Sequence, residues 1–146
     1  MRTARTLAAL SAAGILALTL VATTMAAGGR PYMTELEGEQ ERPVIGDLDG
    51  TGHASIEVNA GLGQVCYELH VSGIAPAAAA HIHRAPAGQP GPVVVPLAAP
   101  TDGTSSGCVA VSRDLALELL RDPSGFYVNV HNADFPGGAL RGQLSR

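Results

Sequence analysis

Apolar and polar residues alternate along most of the chain beyond residue 30, and this alternation predicts strands. Successive side chains on a strand point to opposite faces. From Gln64 to Ser72, Val65, Tyr67, Leu69 and Val71 fall on one face, and Cys66, Glu68 and His70 on the other. From His53 to Asn59, Ala54, Ile56 and Val58 oppose His53, Ser55 and Glu57. Further strands are predicted at Tyr32–Glu37, Ala77–His83, Cys108–Val111, Phe126–His131 and Ala139–Leu144. In the last of these, Leu140, Gly142 and Leu144 are expected to face the core, with Ala139, Arg141 and Gln143 facing out. Val93-Val94-Val95 does not alternate, which predicts a strand buried on both sides or lying at a sheet edge. One helix is predicted at Arg113–Arg121. Ser112 can cap it, Asp114 and Arg121 suit its positive and negative ends, and Asp122-Pro123-Ser124-Gly125 stops it. Gly- and Pro-rich turns such as Asp49-Gly50 and the loop Arg84–Pro92 separate the strands. Roughly eight short strands and one short helix predict an all-β, antiparallel β-sandwich.

The same phase argument locates the candidate chemistry. His81 and His83 share a strand face, with Ile82 on the other, and their Cα atoms would stand about 6.6 Å apart. In the later strand Asn129 and His131 oppose Val128 and Val130. If the two strands meet, His81, His83 and His131 form one cluster, and two readings of it stand side by side. Imidazole suits copper and zinc, and three protein ligands leave an open position. Alternatively the rings hydrogen-bond one another and the nearby loops. His53 and His70 each stand alone among polar strand positions and are expected to be exposed. Glu35, Glu37, Glu39 and Glu41 alternate along one extended segment, which reads as a solvated edge, with calcium binding the lesser reading. Cys66 and Cys108 both lie off the apolar phase of their strands. In an exported chain that favours one disulfide over two free thiols.

Export is itself an expectation from the N-terminus. Arg2 and Arg5 precede an apolar run from Leu7 to Val21, and Thr24-Met25-Ala26 fits a small-x-small cleavage site. Residues 1–26 therefore read as a secretory signal peptide. The run is shorter than the ~20 residues a membrane span needs. No cysteine follows it to take a lipid. The expected product is secreted or extracytoplasmic, with no membrane insertion after cleavage. Loss of Arg2 and Arg5 takes the formal charge from −4 to −6. The chain has no lysine, and its remaining arginines are scattered, so nucleic acid is excluded as an expected partner. Some 120 mature residues suffice for one core and one domain. Ser105 and Ser106 lack a nucleophile elbow, and no glycine motif cradles phosphate ahead of a helix.

Several blocks resemble one family. They are Ala80-His81-Ile82-His83, Gly91-Pro92-Val93-Val94, Tyr127-Val128-Asn129-Val130-His131 and Pro136-Gly137-Gly138-Ala139-Leu140-Arg141-Gly142-Gln143-Leu144. With the opening Leu36-x-Gly38-x-Gln40-x-Arg42-Pro43-Val44, they resemble the CHRD (chordin) domain over residues 32–146. Arg42 stands where the family usually has proline, and Ala85 where it usually has glycine. The resemblance implies an exported bacterial member with an immunoglobulin-like β-sandwich, distantly similar to copper-zinc superoxide dismutase. In animals the domain occurs in an extracellular antagonist of bone morphogenetic proteins. The resemblance implies a binding or structural module rather than an enzyme, with an extracellular protein or polymer as partner and no cofactor. Copper is the alternative. His81-x-His83 and Val130-His131 are similar to copper-ligand strands of the dismutase, while nothing matches its bridging histidine or its zinc site. Its anion-guiding arginine has no matching counterpart, Arg141 being a nearby candidate by strand phase. Asn129 and Arg141 are otherwise read as a structural polar motif. Asn129 would tie down a backbone edge, and Arg141 would pin the loop at Asp134.

Overall fold

A computed structural model describes residues 30–145. The expected signal peptide lies outside these residues. The chain forms β1 (Arg30–Glu37), β2 (Thr51–Asn59), β3 (Gln64–Ser72), β4 (Ala77–Arg84), β5 (Val93–Leu97), β6 (Thr104–Ala110), α1 (Arg113–Arg121), β7 (Phe126–Asn132) and β8 (Leu140–Gln143). All eight strands pair antiparallel in one sheet of order β5-β4-β7-β8-β1-β2-β3-β6. The architecture is all-β with one short helix, as the pattern of alternation predicts.

A sheet this long buries its apolar face only by folding over on itself. It does so here. Leu36, Ile56, Leu69, Ile82, Val95, Val128 and Leu140, drawn from seven strands, form one buried cluster. The terminal strands β5 and β6 come together. Ala98 N–H donates to the Tyr67 hydroxyl at 2.9 Å, and Ser105 Oγ donates to the Ala98 carbonyl at 2.8 Å. The valine run is thus an edge strand; a register shift separates exposed Val93 from buried Val95, and alternation begins only there, with Val95 and Leu97 buried and Pro96 exposed. Helix α1 is capped as expected, Ser112 Oγ accepting the Leu115 N–H at 3.1 Å. It closes the core with Ala116 and Leu119.

Two departures concern the outer face. Ala139 and Arg141 are fully buried, although strand phase directs them away from the core. Glu41 is also buried, because the 3-10 turn Gly38–Gln40 interrupts the extended segment and turns Glu41 back onto the sheet. Cys66 and Cys108 stand opposite each other on β3 and β6 and form the disulfide.

Candidate metal centre

Strands β4 and β7 are neighbours, and their register decides which side chains meet. His81 pairs with Asn129, His83 with Tyr127, and Ala79 with His131. His131 is therefore diagonal to His81 on the outer face, while Ile82, Val128 and Val130 are fully buried on the inner one. The ring centroids of His81 lie 5.5 Å from His83 and 5.2 Å from His131. One ligand nitrogen from each ring lies within 4.8 Å of the other two. His81 Nδ1 and His131 Nε2 are 3.3 Å apart. Two nitrogens on a tetrahedral ion with bonds of about 2.0–2.1 Å would stand about 3.3 Å apart.

The loops fix how the rings face. A carbonyl oxygen only accepts, so a ring nitrogen facing one carries the proton. His83 Nδ1–H donates to the Gly91 carbonyl at 2.8 Å, and His131 Nδ1–H donates to the Pro136 carbonyl at 3.1 Å. Each ring is thereby left with a lone pair on Nε2. His131 Nε2 accepts from His81 Nδ1–H. His83 Nε2 is buried and has no hydrogen-bond partner among the described residues. Gly91 permits this arrangement because a Cβ there would collide with the Arg84 carbonyl oxygen.

A second layer holds the loop Ala85–Pro92 in place. The Tyr127 ring stacks on His83 at 4.8 Å and 9°, and the Arg141 guanidinium lies 3.5 Å from the Tyr127 ring centre. Since β4 and β8 flank β7, imidazole and guanidinium take the two sides of the phenol ring. Tyr127 Oη accepts the Gly91 N–H at 3.1 Å. Arg141 donates to the Gln89 carbonyl at 2.9 Å, the Pro86 carbonyl at 3.1 Å and Gln143 Oε1 at 3.1 Å. Arg141 does pin a loop, then, but it is Ala85–Pro92 and not the loop at Asp134. Asn129 Nδ2 donates to Glu41 Oε2 and, at 3.4 Å, to the Leu140 carbonyl. Asn129 therefore ties down the turn that carries Glu41 as well as a backbone edge. The Glu41 carboxyl is pushed above its ordinary range by burial, against the lowering effect of the Arg42 N–H, Arg141 and Asn129.

The chain matches the family model of the CHRD domain over residues 32–144. It belongs to the CHRD domain family. Comparison with curated proteins and with solved structures finds no match.

In this CHRD domain the structure brings His81, His83 and His131 together, with Asn129 beside them and Arg141 one strand further on. His53 and His70 lie elsewhere, on β2 and β3, and they are not isolated. They oppose each other and stack. Sequence reasoning missed Tyr127, Gln143, Glu41 and the Gly91 and Pro136 carbonyls. Of these, Tyr127 left a signal by sharing strand phase with Asn129 and His131, and Gln143 by sharing it with Arg141.

Burial, the largest cause in each case, lowers the pKa of His81, His83 and His131 below the usual 6.5. A group with a depressed folded pKa adds stability above its unfolded pKa and loses it as pH falls through the folded value. The metal-free domain is therefore expected to lose stability as pH drops below 6.5. Glu41, raised above 4.5, acts in the opposite sense. Its contribution is fully present below 4.5 and is lost as pH rises through its folded value. Urea midpoints across this range check the sign; a midpoint rising with acidification from 6.5 would contradict it.

Proposed function

We propose that this CHRD domain is an extracytoplasmic binding module whose His81, His83 and His131 together hold one copper or zinc ion. The observation that carries the reading is the buried, unsatisfied Nε2 of His83 beside two further imidazoles. An orphaned buried acceptor costs about 1–3 kcal/mol, and a cation on that lone pair would offset it. Metal-ligating histidines commonly donate their other N–H to a carbonyl, as His83 and His131 do here. Three imidazoles would leave a position open to a water or an exchangeable ligand.

Binding rather than turnover is proposed because Arg141, the candidate anion guide, is 1% exposed and committed to Pro86, Gln89, Gln143 and Tyr127. It has no free face to offer an incoming anion. The disulfide and the expected signal peptide support location outside the cytoplasm.

A protein or polymer partner is a second reading, drawn from the cleft of about 340 Å³ lined by Pro43, Val44, Ile45, Phe135 and Pro136. Val44 is 74% and Ile45 52% exposed there, and the Pro136 carbonyl holds His131.

The test is titration of the purified domain with Cu(I), Cu(II) and Zn(II), beside His83→Ala and His131→Ala. Each substitution is expected to weaken binding by more than about 100-fold, since loss of even an outer-shell partner costs about 10–100-fold. Affinity unchanged in both variants would overturn the metal reading.

A further inference from the structure

A second set of imidazoles stands on the outer face of β1, β2 and β3. Glu35 opposes His53 across β1 and β2, and His53 opposes His70 across β2 and β3. Directly opposed residues share a face, with Cβ atoms about 4.5–5.5 Å apart. The two rings stack with centroids 4.5 Å apart and planes 17° from parallel. His70 Nε2 lies 2.8 Å from Glu68 Oε1. A carboxylate only accepts, so Nε2 carries the proton and Nδ1 holds the lone pair. A carboxylate behind an imidazole is also how proteins commonly orient a metal-ligating histidine. The rings line an open cleft of about 420 Å³, whose rim adds Asp102 and Thr104.

We propose that His53 and His70 chelate one divalent cation of the imidazole-preferring class, such as Zn²⁺ or Ni²⁺, with Glu35 as the carboxylate ligand. In the stack the ring lone pairs do not converge, and turning one ring about its broad χ2 torsion brings them together. His53 is exposed and can turn out of the stack, while Glu68 holds His70, whose side chain is 38% exposed. Glu35, Glu68 and Asp102 supply negative charge around the cation, which no arginine among the cleft-lining residues offsets. Glu35 stands one strand spacing from His53, on the side away from His70.

This proposal does not depend on the three-imidazole centre, and its test separates the two. The His83→Ala/His131→Ala protein is titrated with Zn²⁺ and with Ni²⁺. One equivalent is expected to remain, to vanish with either His53→Ala or His70→Ala, and to weaken with Glu35→Gln. In the same double variant, substoichiometric Ni²⁺ should broaden the imidazole resonances of His53 and His70. Absence of that broadening, or binding that survives His53→Ala in the double variant, would overturn the proposal.

Discussion

Replacing both Cys66 and Cys108 with serine is expected to lower the unfolding free energy by about 3–4 kcal/mol. The bridge closes a segment with a sequence separation of 42. For a loop of that size the chain-entropy relation gives about 4 kcal/mol at room temperature. The topology makes that constraint matter. Strand β6 is terminal in the sheet and pairs only with β3, and none of its residues is fully buried. Little apolar packing would hold it once the bridge is gone, and the sheet end that meets β5 would loosen with it. Urea unfolding of the double variant beside the oxidised protein measures the loss. Coincident midpoints would show that pairing with β3 alone secures β6.

Arg141→Ala is expected to cost about 3–5 kcal/mol and to weaken metal binding by about 10–100-fold. The side chain is 1% exposed and donates three hydrogen bonds, two of them to carbonyls of the Ala85–Pro92 loop. Truncation removes that donor from the Gln89 carbonyl, leaves the Pro86 carbonyl only the Gln89 N–H, and opens a cavity beside Tyr127. It also removes the guanidinium whose charge favours the buried Glu41 carboxylate. The coupling to metal runs through the loop, because the Gly91 carbonyl orients His83. Arg141→Lys is expected to rescue little, since an ammonium cannot reproduce the planar fork over the phenol ring. Denaturant unfolding and zinc titration of both variants check the two effects together. A stable Arg141→Ala protein with native metal affinity would refute this role.

The strand pattern was legible wherever one face meets the core. The bounds of β3 and α1 follow directly from alternation and capping residues. Strand β6 was only half legible, because Thr104-Ser105-Ser106-Gly107 carries no apolar period. Its extended form comes from the ladder with β3, a tertiary cause that local sequence does not display. Arg141 shows the same limit at the site. Strand phase placed it on the outer face, where it lies, but the loop that covers it arrives from more than fifty residues away. Glu41 was misplaced because alternation was carried through a turn that breaks it. For the histidines, phase was readable and register was not. Facing directions of His53 and His70 were available from each strand alone. That they oppose each other required the pairing of β2 with β3.

The central claim is that His81, His83 and His131 bind one ion together. The most direct measurement is X-ray absorption on His53→Ala protein loaded with one equivalent of zinc, which leaves the three-imidazole centre as the proposed site. The expected spectrum shows three imidazole nitrogens at about 2.0–2.1 Å with one exchangeable oxygen ligand. A shell of oxygen donors alone, or a shell unchanged when His131→Ala is added, would contradict the account.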